Sequence, residues 1–191
     1  VGSRGTATVK GLKIARLGDV YAGGGIDIWA TGGEELRLDS LQTGHGTINV
    51  ASGGALVLPT DESIRSAGAN ITLSSGSKIT ADGVIAANDL NPPASEARRD
   101  VSINAAGDVK VGQIIASGKT VITSTQGGIE LSESLGGPDE KQPRLGSLFL
   151  TAWGSIVTRG LNLAGTPTGA EESLVLEAGT RRDASGNASF N

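Results

Sequence analysis

Seven short segments of the chain alternate apolar and polar residues and then reach small residues and glycine. They are IDIWATG from Ile26, INVASGG from Ile48, ITLSSG from Ile71, VSINAAG from Val101, VITSTQG from Val121, LFLTAWG from Leu148 and LVLEAG from Leu174. The small fifth positions are Ala30, Ser52, Ser75, Ala105, Thr125, Ala152 and Ala178. A period of two predicts strands with one buried face. The starts lie 20 to 30 residues apart, which is the repeat range of solenoid proteins.

Two further apolar groups follow several of these segments. The second group consists of the pairs Leu36 and Leu38, Leu56 and Leu58, Val109 and Val111, and Ile129 and Leu131, and the third of Leu41, Ile64, Val84, Ile114 and Leu161. Three short strands and three turns in about twenty residues make one coil of a parallel β-helix, whose apolar side chains are buried only by stacked coils. Helix signals are limited to residues 62–67 and 94–100.

The pattern therefore predicts an all-β protein, a solenoid of about seven to eight coils. We expect a single domain over 1–191, with 1–24 as a partial first coil and 179–191 as a polar tail. The chain begins with Val1 and contains no methionine, which indicates a segment of a larger protein.

The amino-acid composition and net charge exclude several classes of function. The 30 glycines and only five aromatic residues (two Trp, one Tyr, two Phe) leave Ile, Leu, Val and Ala to fill the interior. A net charge of −4 offers no footprint for nucleic acid, so no nucleic-acid partner is expected. The absence of cysteine excludes disulfides and thiol chemistry. No apolar run approaches the ~20 residues that span a bilayer.

One segment resembles a calcium motif. AGGGIDIWA, residues 22–30, nearly fits the glycine- and aspartate-containing nonapeptide of RTX-type toxins, but the next nine residues break the pattern. A single copy supplies only a fraction of the six to eight oxygen ligands of calcium. Alternation also turns Asp27 outward, so no metal and no cofactor is predicted. His45, in the turn TGHGT, is read as a surface residue.

The stretch GDVKVGQIIASGKTVITSTQGGIELS, residues 107–132, resembles the repeats of filamentous-haemagglutinin-like exoproteins, which Gram-negative bacteria export by two-partner secretion. The resemblance covers most of residues 7–178 and implies a right-handed parallel β-helix. It also implies a secreted or cell-surface location, an outer-membrane export partner, flanking β-helix coils of the same chain, and a role in adhesion or as a stalk. The expected function is therefore non-enzymatic, with a host or neighbouring-cell receptor or glycan as the possible partner.

The competing class is a carbohydrate-active β-helix enzyme, either a polysaccharide lyase or hydrolase or a tailspike-like protein. Such an enzyme requires clustered carboxylates. The acidic pairs at 34–35, 61–62, 139–140 and 171–172 stand in polar turns and are read as solvated, and Glu130 has no acidic partner at equivalent positions. No catalytic residue is therefore predicted, and convergence of carboxylates from adjacent coils would distinguish the two classes.

Candidate binding residues are the two tryptophans and the long turns. Trp29 occupies an outward strand position and Trp153 a turn, where each would either stack on a partner or lie over a neighbouring loop. The segments 88–100, 132–146 and 164–173 exceed the shortest coil, and the first two are expected to emerge roughly 10 Å apart on one side. These segments are interpreted either as a binding patch or as surface loops that have no binding role. Their candidate contact residues are Asn91, Arg98, Arg99, Asp139, Glu140 and Lys141.

Overall fold

The computed structural model describes residues 2–87, 99–132, 147–158, 173–182 and 188–190. These residues contain strands and no helix. The first ten strands are β1 Gly2–Ser3, β2 Ala7–Gly11, β3 Arg16–Leu17, β4 Val20–Ala22, β5 Ile26–Ala30, β6 Leu36–Leu38, β7 Leu41–Thr43, β8 Ile48–Ser52, β9 Leu56–Leu58 and β10 Ser63–Ser66. The others are β11 Ile71–Ser75, β12 Ile79–Ala87, β13 Val101–Ala105, β14 Val109–Ala116, β15 Thr120–Ser124, β16 Ile129–Leu131, β17 Leu148–Ala152, β18 Ile156–Thr158, β19 Leu174–Ala178, β20 Thr180–Arg182 and β21 Ala188–Phe190.

The strands form a β-solenoid, which confirms the predicted fold class. One parallel sheet of eight strands has the order β19-β17-β15-β13-β11-β8-β5-β2. A second sheet of eleven strands carries the other two positions of each coil, with β3, β6 and β9 in one row and β4, β7 and β10 in the next. The long strands β12 and β14 run through both rows. Strands β20 and β21 pair only with each other and are antiparallel.

The core is a stack of aliphatic side chains in register from coil to coil. In the eight-stranded sheet Ile26 pairs with Ile48, Ile48 with Ile71 and Ile71 with Val101, and all four are fully or almost fully buried. The alternate residues of these strands face solvent, as in the buried and half-buried alternation of β5. Because a single coil cannot enclose its own apolar side chains, burial depends on the next coil.

Hydroxyl groups close the corners between the strands. The Oγ of Ser75, which is buried at the end of β11, donates to the carbonyl oxygen of Gly54 at 2.7 Å. The Oγ of Ser124 donates to the carbonyl of Gly107, also at 2.7 Å, and accepts from the Gly127 amide at 3.0 Å. Small polar residues at this position therefore satisfy backbone groups that the turns remove from the ladder.

The structure corrects two register predictions. The segment from Val121 is shifted by one residue, since β15 begins at Thr120, Val121 faces outward, and Ser124 rather than Thr125 is the buried corner residue. The alignment from apolar residues failed here because Thr120 is polar but lies fully buried, at a position where the neighbouring coils place Val101 and Leu148. Thr120 Oγ1 has no hydrogen-bond partner in the part of the chain that the structure describes.

The third apolar position of β12 is Ile85, and the prediction of Val84 was wrong. A register shift between Ala81 and Val84 turns Val84 outward, where it pairs with Ser63. The weak helix signal at 62–67 does not produce a helix, because Ser63–Ser66 is strand β10 and buries Ile64, the predicted third apolar position. The described residues form about six turns, slightly fewer than the seven to eight predicted. Leu161, which was predicted as a third apolar position, lies outside the described residues.

Candidate functional site on the outer surface

Trp29 lies on the outer face of the eight-stranded sheet, near its first edge. It is half-buried on β5, and its neighbour on β2 is Lys10. The Lys10 Nζ lies 4.4 Å from the centroid of the Trp29 ring, which is the geometry of a cation–π contact. An open recess of about 430 Å³ adjoins the pair and is lined by Lys10, Gly11, Leu12, Trp29 and Thr31. This surface combines an aromatic ring, an ammonium group and the exposed Leu12.

Asp27 is two residues from Trp29 on the same outward face. Its Oδ1 accepts a hydrogen bond of 2.8 Å from Nδ2 of Asn49, which occupies the same position on the next coil. Among the described residues no group of three or more His, Cys, Asp or Glu is placed to hold a metal ion. The Asp27 carboxylate therefore serves as a hydrogen-bond acceptor for Asn49 on the adjacent strand.

An ion pair in which one guanidinium contacts both oxygens of a carboxylate lies at a corner of the eleven-stranded sheet. Arg16 Nη2 and Nε lie 2.8 and 3.1 Å from Oδ2 of Asp39, and Nε lies 3.3 Å from Oδ1. The Asp39 side chain is only 10% exposed, whereas that of Arg16 is 66% exposed. The hydrogen bond to Asp39 and its negative charge raise the pKa of Arg16 above its ordinary value. Arg16 therefore remains charged throughout the physiological pH range and contributes no pH dependence there.

Further carboxylates of the same corner are also engaged. Glu62 Oε2 accepts a 2.7 Å hydrogen bond from Ser40 Oγ, one coil away. Asp82 Oδ1 lies 2.8 Å from Nζ of Lys110 on the following coil. Carboxylates from adjacent coils thus do approach this corner, but those described here are bound to a cation or a hydroxyl of a neighbouring coil. Such contacts align successive coils.

The candidate binding residues that the structure describes are not brought together. Trp29 is on β5, Arg99 precedes β13, and Trp153 follows β17. With about 4.8 Å between strands, Trp29 and Trp153 stand roughly 24 Å apart along the stack. The Arg99 amide donates to Ser117 Oγ at 3.1 Å and its carbonyl accepts from Gly118, which fixes the Arg99 backbone against the next coil. The other candidates lie outside the described residues: Asn91, Arg98, Asp139, Glu140 and Lys141.

Sequence reasoning missed the Arg16–Asp39 pair and the position of Lys10 over Trp29. The available signal was the coil period, since 23 residues separate Arg16 from Asp39. The first coil has weak apolar alternation, so its register could not be assigned from the seven aligned segments. His45 is exposed in its turn, as predicted.

Comparisons with known proteins found no matching family model, no matching curated protein and no matching solved structure. In the described ranges, none of the secondary structure is a helix with the length and apolarity needed to cross a membrane.

Proposed function

We propose that this solenoid is a non-enzymatic segment of a secreted or cell-surface bacterial adhesin or exoprotein, and that it acts in adhesion or as a stalk. The observation that carries the proposal is the in-register ladder of eight parallel strands, whose inward side is mainly aliphatic core. At about 4.8 Å per strand the ladder extends roughly 34 Å. Such a structure holds surface groups at fixed spacings along one axis.

The ladder suits a load-bearing or display role for a physical reason. Each inner coil is bound on both sides by backbone hydrogen bonds and by stacked side chains. Both neighbouring coils therefore stabilise its conformation. Corner contacts between coils, such as Arg16 with Asp39 and Ser40 with Glu62, add further registration. The result favours a rod that resists bending.

Adhesion requires a contact surface, and the Trp29 recess supplies the chemistry for one. An indole ring presents an apolar face to the C–H side of a sugar or to an apolar side chain. Asp27 and Asn49, on the same face, offer polar groups to hydroxyls. We propose that this surface binds a glycan or a cell-surface receptor and does not catalyse a reaction on it.

The binding proposal is tested with a panel of immobilised neutral and acidic glycans and with cultured host cells. Trp29→Ala should weaken binding by about tenfold, since loss of a stacking Trp removes on the order of 1.4 kcal/mol or more. Trp153→Ala is the matched control, because that residue lies several coils away, and it should leave the affinity unchanged. Equal effects of the two substitutions would contradict a site at Trp29. If the chain binds neither glycans nor cells, only the stalk role remains.

The enzymatic alternative is tested on acidic and neutral polysaccharides by the release of reducing ends or unsaturated products. The proposal predicts no product above the buffer control. Turnover that is lost in Asp39→Asn, with the fold intact by circular dichroism, would overturn it.

A further inference from the structure

The outward face of the eight-stranded sheet carries no charged residue over five consecutive strands, β8, β11, β13, β15 and β17. These strands pair in register without a bulge, and each presents two outward side chains. We call these ten residues the uncharged field: Asn49, Ala51, Thr72, Ser74, Ser102, Asn104, Val121, Thr123, Phe149 and Thr151. A soluble protein surface carries about 25–35% charged residues, so about three of ten positions would ordinarily be charged.

The other sheet shows that this lack of charge is not general. Outward positions of the eleven-stranded sheet include Arg37, Arg65, Lys110 and Glu130. The uncharged field is also an interior part of its own sheet, because β5 precedes β8 and β19 follows β17. The absence of charge is therefore a property of this face of the solenoid.

The uncharged field presents hydroxyl groups that are free to bond a ligand. Within the described residues the side-chain hydroxyls of Thr72, Ser74 and Thr123 make no hydrogen bond. Ser102 Oγ accepts one from Asn104 Nδ2 at 3.1 Å. A hydroxyl can donate one hydrogen bond and accept others, and equivalent positions recur about every 4.8 Å along the stack. The field can therefore bond a row of ligand hydroxyls.

An aromatic ring lies at each end of this area. Trp29 is on β5, and its neighbour on β8 is Ala51, a small residue that leaves room on the side towards the field. Phe149 is a partly exposed residue of β17 and lies beside Val121. Five strand steps separate the two aromatic residues, which is roughly 24 Å along the stack. Rings at these positions can stack on the C–H faces of a ligand.

We propose that this face binds a neutral, linear polysaccharide that lies along the stack from Trp29 to Phe149. Sugar units offer hydroxyls to the field and C–H faces to the two rings. A carboxylated or sulfated chain would lose hydration of its charges there, and the field has no cation to compensate for that loss. The inference rests on the proposed function, since it takes the Trp29 surface as one end of the site, and it names the class of glycan.

Calorimetric titration of the chain with oligosaccharides tests the length and the charge of the ligand. The probes are neutral glucan and mannan oligosaccharides from disaccharide to hexasaccharide, with oligogalacturonates as charged counterparts. Affinity should rise on the order of tenfold from disaccharide to hexasaccharide, because only the longer chain reaches both rings. Oligogalacturonates of the same length should bind on the order of tenfold more weakly. Affinity that does not rise with length, or equal binding of the charged chains, would overturn the proposal.

Two substitutions alter the field without touching Trp29. Phe149→Ala should weaken hexasaccharide binding on the order of tenfold and leave disaccharide binding, which occurs at Trp29, unchanged. Ser102→Asp places a charge in the middle of the field and should have the same selective effect. Thr80→Asp is the matched control, because Thr80 is an outward residue of the other sheet, and it should leave both affinities unchanged. Circular dichroism shows that each variant is folded.

Comparison with Trp29→Ala separates this inference from the proposed function. If Trp29→Ala abolishes binding whereas Phe149→Ala and Ser102→Asp do not weaken it, the Trp29 site stands and the extended surface is refuted. Cell binding that neutral oligosaccharides do not inhibit would indicate a protein receptor, and it would also refute the extended site. If no neutral oligosaccharide binds, the inference is wrong and the stalk role is unaffected.

Discussion

Replacement of Thr120 by valine should stabilise the protein. Thr120 occupies an inward position of β15 between Val101 and Leu148, is fully buried, and has no hydrogen-bond partner for Oγ1 among the described residues. Burial of an unsatisfied hydroxyl costs about 1–3 kcal/mol. Valine has nearly the same shape, and the neighbouring coil already carries valine at this position. We therefore expect the free energy of unfolding to rise by about 1–3 kcal/mol.

Urea unfolding followed by far-ultraviolet circular dichroism measures this change. The midpoint should rise while the slope m stays constant, since a methyl group for a hydroxyl does not alter the surface exposed on unfolding. For a chain of this size the melting temperature should rise roughly 2–4 °C per kcal/mol. Thr123→Val is the control, because Thr123 lies on the same strand but faces outward, and it should change stability by less than about 0.5 kcal/mol. Thr120→Val with unchanged or lower stability would refute the argument.

Three other predictions concern the coil turns, the register and metal binding. Gly46→Ala should destabilise by about 1–3 kcal/mol in thermal unfolding, because its Cβ would collide with the backbone at Gly24 and Gly25, whereas Gly33→Ala, with nothing within 4 Å, should be nearly neutral. Ile103→Asp should unfold the protein by burying an unpaired charge, whereas the half-buried outward Ser102 should tolerate Asp, and equal thermal shifts would contradict the register. Millimolar calcium should leave the melting temperature of the chain and of Asp27→Asn unchanged, and a calcium-induced rise lost in Asp27→Asn would show a metal site.

The fold was predictable because its signal is repeated. Alternating residues followed by small residues recur in seven segments, and an error in one coil does not propagate, since the next coil restarts the pattern. The errors occurred where a polar residue takes an inward position, as at Thr120, or where a bulge changes the alternation, as before Val84. In both cases contacts between coils override the local pattern.

The candidate site was less predictable because it depends on neighbours between coils. Trp29 was identified from its outward position, but the sequence did not show that Lys10 lies over its ring. Such pairs join residues about one coil apart, and the coil length varies along this chain. The candidate residues in 88–98 and 133–146 lie outside the described residues, so the predicted patch on those segments stays a prediction.

The stacking of the coils is tested most directly by distances between spin labels on the outward row of the eight-stranded sheet. Since the chain has no cysteine, labels can be attached to engineered pairs without background. With one label at Thr8, partners at Ser102, Val121 and Val175 lie four, five and seven strands away. At about 4.8 Å per strand the account predicts separations of roughly 19, 24 and 34 Å. Distances that fail to increase from one coil to the next, or increments well above or below about 4.8 Å per strand, would contradict it.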